Sequence, residues 1–345
     1  MEIQDRLLTW YRENRRDLPW RKDKDPYKIW VSEIMLQQTR VETVIPYFNR
    51  FVEQFPTLQH LAEAEEDEVY KAWEGLGYYS RIRNLHSAVK EVQSSYGGYV
   101  PYEPKKMARL KGVGPYTLGA VLSIAYDQKL PAVDGNVMRV LSRLFVLTDD
   151  IAKPKTRKKI EQLALQLIPE EAPGDFNQAL MELGATICVP SSPRCLLCPL
   201  QQACQGLATG QHDELPIKTK NKAPLKQKMV FLLIRDQNKL WVEKRPDTGL
   251  LAGFWSLPTI ERDKGESAID AAIRWGELHG ILLRNGRQVG ELEHIFTHRH
   301  WNIEVLEMDY LGIENMYNEN ISLWTYEKFS NSTLANVYRK ALKFI

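Results

Sequence analysis

Apolar residues recur along the first two thirds of the chain at the spacing of a helix face. Between positions 30 and 48, Trp30, Ile34, Val41, Ile45 and Phe48 fall on one stripe. Ile82, Leu85, Val89 and Val92 repeat the pattern, as do Val137, Val140, Leu141 and Leu144. Glycines and prolines punctuate the stripes at Gly75, Gly77, Gly97, Gly98, Pro101 and Pro104. Residues 1–205 are therefore expected to be almost entirely helical. After Cys204 the pattern changes. Residues 206–228 are polar, with Lys218, Lys220, Lys222, Lys226 and Lys228 beside Pro216 and Pro224, a linker composition. Residues 229–234 and 240–242 then read as two strands joined by a turn at 236–238, followed by a helix near 267–279 and further strands near 303–311. The expectation is a mostly α part (1–205), a linker (206–228) and an α+β domain (229–345), with no internal repeat.

Length and composition agree with two domains. A chain of 345 residues exceeds one ordinary core, and 43% hydrophobic with 26% charged residues is a soluble globular profile. No apolar run follows a basic start, so no secretory signal is expected. The longest strongly apolar run, 229–234, is too short to cross a bilayer. The reading is an intracellular protein with no membrane partner. The net charge of +2 is no nucleic-acid signature by itself. Residues 229–345 hold 14 basic and 16 acidic side chains, which leaves 32 basic and 28 acidic for 1–228. The run Lys153, Lys155, Arg157, Lys158 and Lys159 is ordinarily a solvated face.

Four cysteines, all those of the chain, fall in one loop as Cys188-x6-Cys195-x2-Cys198-x5-Cys204. In an intracellular chain this clustering favours a metal site over disulfides, and four thiolates suit either zinc or an iron–sulfur cluster. Structural zinc usually takes two short Cys-x2-Cys knuckles, and this loop has one. A second constellation is Leu110-Lys-Gly112-Val-Gly114-Pro-Tyr116-Thr-Leu-Gly119-Ala. Two glycines two apart allow a tight turn with exposed amides, and Pro115 suits the first turn of a helix whose dipole favours a phosphate. Asp134 stands where the cap of the 137–144 helix belongs, and capping alone accounts for it. Glu33, at the edge of an apolar stripe, reads on its own as a partly solvated helix residue.

The cysteine spacing resembles the iron–sulfur loop of the endonuclease III superfamily of helix-hairpin-helix DNA glycosylases. The glycine string is similar to that superfamily's hairpin, with Lys111 replacing a common proline. The segment Trp30-Val-Ser-Glu33-Ile-Met-Leu-Gln37-Gln38-Thr39-Arg40-Val41 closely resembles the adenine glycosylases of the MutY type. The resemblance implies two helical lobes with a [4Fe–4S] cluster on Cys188, Cys195, Cys198 and Cys204, and a hairpin that grips the DNA backbone through Gly112 and Gly114 without reading sequence. It implies that Glu33 protonates N7 of adenine and later helps activate water, its burial keeping a proton available. Asp134 then stabilises an oxocarbenium-like sugar, ionised by its helix N-terminus and assisted by Tyr116 and Asn136. Tyr116 occupies the place of the lysine with which superfamily lyases attack the sugar, so a monofunctional enzyme is expected. Gly75-Leu76-Gly77-Tyr78-Tyr79 and Gln38-Thr39 match segments that wedge into the stack during base flipping. Arg21 matches a base or backbone contact, and Arg194 would face the DNA backbone.

Leu251-Ala-Gly253-Phe-Trp255-Ser-Leu-Pro258 resembles the start of a Nudix fold. Of the carboxylates that hold magnesium in its hydrolases, Glu277 remains, while Leu278, Ile273 and Gly265 stand where Glu, Arg and Glu belong. The fold is expected without the hydrolysis, as a reader of 8-oxoguanine in which Phe296-Thr297-His298 corresponds to the family's Phe-Ser-His contact loop. His294 and His300 read as structural. The implied partner is duplex DNA with an A:8-oxoguanine or A:G mispair, bound by a monomer in the cytoplasm, on the nucleoid if the source is bacterial. The competing readings are a bifunctional lyase for oxidised pyrimidines, a nucleotide pyrophosphatase and a non-catalytic DNA-binding module. Tyr116, the missing carboxylates, and the retention of Glu33 and Asp134 weigh against them in turn.

Overall fold

A computed structural model describes residues 2–219, 223–314 and 318–345. Lys220 and Lys222, counted above in the linker, lie outside the described residues. The chain divides into two compact units, Met1–Ala72 with Ser80–Lys220, and Trp73–Tyr79 with Asn221–Ile345.

The first unit is helical: α1 (Ile3–Asn14), α2 (Pro26–Leu36), α3 (Val41–Gln54), α4 (Leu58–Glu63), α5 (Glu66–Trp73), α6 (Ser80–Ser95), α7 (Pro104–Met107), α8 (Pro115–Tyr126), α9 (Gly135–Leu144), α10 (Pro154–Leu167), α11 (Pro173–Thr186) and α12 (Gln205–Ala208). Asp25 caps α2 by accepting from the Tyr27 amide at 2.9 Å, and Pro26 fills its first turn. Buried positions from Tyr27 to Met35 run almost all the way round α2, which makes it a central helix. It packs on α3, α6 and α8, while α8 also packs on α11, and α11 on α1 and α9. Leu7, Tyr11, Val137, Leu141, Phe176 and Leu180 form the core of that second group. Two helical lobes thus share α8.

The 30–48 stripe is not one helix. It breaks between α2 and α3, where Gln38 has φ +60°. Arg81 explains the break, since its Nη1 donates to the carbonyls of Ile34 and Met35 at 2.9 Å and to that of Gln37. A buried cation thus satisfies the carbonyls that the end of α2 leaves free.

The second unit holds β1 (Leu225–Asp236), β2 (Lys239–Lys244), β3 (Trp255–Ser256), β4 (Thr259–Glu261), α13 (Ala268–His279), β5 (Ile281–Ile295), β6 (Arg299–Ile313), β7 (Ile321–Thr325), α14 (Tyr326–Asn331) and α15 (Asn336–Ala341). The strands make one sheet in the order β3-β2-β1-β6-β5, with β4 added to β1 and β7 to β2. The β1–β6 pair is parallel and the other pairs are antiparallel. Met229, Phe231 and Leu233 enter one core with Val337 and Tyr338 of α15. Val230, Leu232 and Ile234 enter another with Ala271, Ala272 and Trp275 of α13. A strand covered on both faces needs no alternation, which is why 229–234 reads as a continuous apolar run.

The expected linker is too long at both ends. Gln205–Ala208 is a turn of helix, and β1 already starts at Leu225. Residues 225–228 look like linker because their side chains, apart from Gln227, are exposed. Their backbone nevertheless pairs with Arg299–Asn302.

Candidate active site

A cleft of about 890 Å³ in the helical unit is lined by residues that are far apart in sequence, from α2, the hairpin, α8, α9 and α11. All four residues expected to carry the chemistry line it: Glu33, Tyr116, Asp134 and Asn136. So do Arg21, Gln38, Thr39, Gly112 and Gly114.

Glu33 sits on central α2 and is 5% exposed. The Tyr116 hydroxyl donates to its Oε2 at 2.6 Å and stands 3.4 Å from Met181 Sδ. Burial pushes the Glu33 carboxyl up to about 7. The bond from Tyr116 and the charge of Arg21 pull the other way, while the charge of Asp134 adds to the rise. Burial, with the charges of Glu33 and Asp134, holds the Tyr116 phenol well above its ordinary value, so it acts as a neutral donor.

Asp134 is the cap of α9. Its Oδ1 accepts from the Val137 amide at 2.8 Å and its Oδ2 from Asn136 Nδ2 at 2.8 Å. The helix end, expected to keep this carboxyl ionised, is opposed by burial. Burial raises its carboxyl above the ordinary value, against the pull of the cap bonds and of Arg139. A cap that is also raised is a carboxylate withdrawn from solvent, where its charge acts more strongly than at the surface.

Asn136 is fixed from behind. Arg139 Nη2 donates to Asn136 Oδ1 at 2.9 Å and to the Gly184 carbonyl at 2.8 Å, and its Nε donates to the Cys188 carbonyl at 2.7 Å. A Cβ on Gly184 would stand 2.6 Å from Asn136 Cβ, so only glycine lets α11 close on this corner. One turn along α9, Arg143 donates to the carbonyls of Val189, Pro190 and Leu215, and its Nη1 lies 3.4 Å from Cys188 Sγ. The helix capped by Asp134 therefore also holds the cysteine loop.

The four thiols are free and line one small cavity with Arg143 and His212. Among the described residues no three or more His, Cys, Asp or Glu side chains are arranged to hold a single metal ion. Four ligands of one zinc would converge on bonds of about 2.3 Å. All four thiols border one small cavity, as the ligands of a common centre would. Burial pushes the Cys198 thiol up to about 12 and raises that of Cys195, so thiolates there need a positive partner.

In the hairpin, Gly114 caps α8, and Pro115 occupies its first turn. Gly112 has φ +82°, and a Cβ there would stand 2.8 Å from Asn84 Cβ, so the turn is glycine-dependent. Gln38 and Thr39 project from the turn that Arg81 holds.

Arg21 lines the cleft but is tied down. It donates to Glu182 Oε2 at 2.9 Å, Gln178 Oε1 at 3.1 Å and the Arg16 carbonyl at 3.1 Å. Sequence reasoning missed Arg16, Glu182 and Arg81, whose partners are distant in the chain. A signal was present for Glu182: an acid one turn from Ala179 and beside Leu183 in the largely apolar second half of α11.

The remaining expected contacts belong to the second unit. Tyr78 is 47% exposed at φ +49°, and its hydroxyl accepts from Thr297 Oγ1 at 3.2 Å. Leu76, expected to insert alongside it, is buried at 7%. Gly75 and Gly77, on either side of Leu76, have φ of +99° and +70°. Phe296 packs edge-on against Trp301 and His294, while Thr297 and His298 are exposed. His300 pairs with Glu293, as its structural reading expects. No described helix is long and apolar enough to cross a membrane.

Comparison with known proteins places both units. The HhH-GPD superfamily of base excision DNA repair proteins matches residues 31–170, and the NUDIX domain matches residues 229–344. The adenine DNA glycosylase of Buchnera aphidicola subsp. Schizaphis graminum is 38% identical over 294 residues, 85% of this chain and 83% of its own. The mouse adenine DNA glycosylase is 34% identical over 396 residues, 98% of this chain and 76% of its own. Among solved structures, a thermostable thymine-DNA glycosylase superposes with a TM-score of 0.53 at 30% identity, covering 59% of this chain and 94% of that one.

Proposed function

Since this chain belongs to the adenine DNA glycosylases of base excision repair, we propose that it hydrolyses the N-glycosidic bond of adenine mispaired with 8-oxoguanine or guanine in duplex DNA, leaving an abasic site without cutting the strand. The observation that carries this reading is the buried Glu33–Tyr116 pair, in one cleft with a capped Asp134. A carboxyl raised to about 7 holds a proton at neutral pH and gives it up readily. Glu33 donates that proton to N7 of the flipped adenine, and the C1'–N9 bond breaks with its electron pair going to the base. The Asp134 carboxylate stabilises the cationic sugar while Asn136 and Tyr116 hold the two acids in place. Water then adds to C1' and returns its proton to Glu33, so adenine and an abasic sugar are the products. Tyr116, a neutral phenol, offers no amine for a Schiff base.

The two glycines of the hairpin and the open end of α8 support a phosphate contact at Gly112 and Gly114. Tyr78, with Phe296, Thr297 and His298, supports a contact with the opposing base. Cys188, Cys195, Cys198 and Cys204 are the residues that would hold a [4Fe–4S] cluster, and Arg143 beside Cys188 suits the negative charge of four thiolates. When bound, the cluster supplies cross-links that fix this loop on α9. A cytoplasmic site of action agrees with these roles.

The test is excision from duplexes containing A:8-oxoguanine, A:G, thymine glycol or uracil, with and without alkali. Adenine release with strand breaks only after alkali is expected; breaks without alkali, or no adenine release, would overturn the reading. Glu33→Gln is expected to bind the mispair and to lose about 10²–10⁴-fold in excision.

A further inference from the structure

Glu182 on α11 is a buried acid of the cleft with no task in the chemistry above. Its side chain is 1% exposed, and both oxygens are saturated. Oε1 accepts from Arg16 Nε at 2.6 Å and from the Arg16 amide at 3.3 Å. Oε2 accepts from Arg16 Nη2 at 3.1 Å and from Arg21 Nη2 at 2.9 Å. One negative charge therefore serves two guanidiniums, and the trio leaves a single net positive charge in the wall of the cleft that contains Glu33. Such a cluster is weak evidence for a purely stabilising role. A buried ion triad is often replaceable by apolar side chains of the same volume without loss.

We infer that Glu182 is a positioning residue that clamps Arg16 and Arg21 into the cleft wall and, by cancelling one of their two charges, lets Glu33 keep the proton it delivers. This rests on the reading of Glu33 as the acid. Arg21 is the cation that pulls the Glu33 carboxyl down, and burial with Asp134 pushes it up. The Arg16 and Arg21 charges outweigh burial at Glu182 itself, so it stays ionised. The other charges on this cleft are Arg139 behind Asp134 on α9, Arg157 and Glu161 on α10, and Arg40 with Glu42 at the start of α3. Tyr11 of α1 lies under the Arg21 guanidinium at 5.5 Å, and Tyr116 of α8 is neutral. None of these replaces the Glu182 charge at Arg21.

The experiment is the pH profile of single-turnover adenine excision from an A:8-oxoguanine duplex. The near-isosteric Glu182→Gln leaves two uncompensated guanidiniums, so the basic limb is expected to move down by about one pH unit. The rate then falls about tenfold on the alkaline side and changes little on the acid side. Arg16→Met, at a position with a third of its side chain exposed, leaves Glu182 with one arginine and is expected to move the limb upward. It provides the reading if Glu182→Gln melts early. A rate lowered by the same factor at every pH would show that Glu182 only supports the fold, and would overturn the inference. So would profiles of both variants that superimpose on the wild type while Glu33→Gln is inactive. An active Glu33→Gln enzyme would overturn the reading of Glu33 first, and the inference with it.

Discussion

In the helical unit Glu33 is buried beside a phenol and its carboxyl is pushed up to about 7, whereas in the α+β unit Glu266 meets Arg274 at the surface and is pulled down to about 2. The residue type is the same and the environments are opposite. Loss of water disfavours the charged form, and an adjacent guanidinium favours it. The pattern extends to neighbours: Asp134 is raised, while Glu307 is held low by Arg287 and Arg235. Glu33, raised to about 7, is equipped to trade a proton; Glu266, lowered in an ion pair, is a fixed anion. The α+β unit keeps the NUDIX architecture, yet its α13 presents Leu278 to solvent at 77% exposure where a metal-binding acid would stand. The division is not absolute: burial raises the carboxyl of Glu243 on β2, and in the cleft Arg16 and Arg21 hold that of Glu182 low against its burial.

The largest effect expected from breaking this comparison is at Asp134. Asparagine caps a helix as well as aspartate does, so Asp134→Asn should keep α9 and the cysteine loop intact. It removes the charge opposite the developing sugar cation, and single-turnover excision should fall by about 10²–10³-fold. A melting temperature unchanged within error, measured beside the rate, separates chemistry from folding. A fully active variant would mean that Asp134 is a cap and nothing more.

Much of this is legible in the sequence itself. The apolar stripes marked the helices because each buries one face, and the continuous 229–234 run marked a strand covered on both sides. The break between α2 and α3 was not legible, since it is enforced by Arg81, a residue more than forty positions away. Strand β5 escaped because Arg284, Asn285, Gly286, Gln288 and Gly290 interrupt any alternation; bulges against β6 accommodate them. In the site, Glu33, Asp134 and Tyr116 were named through the resemblance of their segments to a known family. Local pattern alone left Asp134 a cap and Glu33 a surface acid. The Arg16–Glu182–Arg21 cluster has no local signature, because its bonds join positions some 160 residues apart.

A smaller effect sharpens the cleft side of the comparison. The Tyr116 hydroxyl donates to the Glu33 carboxylate, and a bond to the charged form lowers the value at which the proton leaves. Tyr116→Phe removes it, so the Glu33 carboxyl rises and the basic limb of excision should move up, by about half a pH unit to one unit. This is the direction opposite to Glu182→Gln. The maximal rate should drop less than about tenfold, since the phenol orients the acid and does not itself transfer the proton. A limb that stays in place would mean that burial alone sets the Glu33 proton.

The smallest effect on excision, and the sharpest contrast, is expected at Glu266. Its bond with Arg274 Nε is 2.8 Å long and its Oε2 accepts from the Asp263 amide at 2.8 Å. Folding lowers its carboxyl, so the stability it contributes is fully present above the unfolded value near 4.3 and is lost as pH falls towards about 2. Glu266→Gln should leave excision unchanged across the pH range. The wild-type α+β unit should lose melting temperature between about pH 4 and pH 2 more steeply than the variant does, with the difference shrinking at high salt. Glu33 would then write its titration into the rate, and Glu266 into the stability. A Glu266→Gln enzyme with an altered excision profile would show that the two units do not divide their acids in this way.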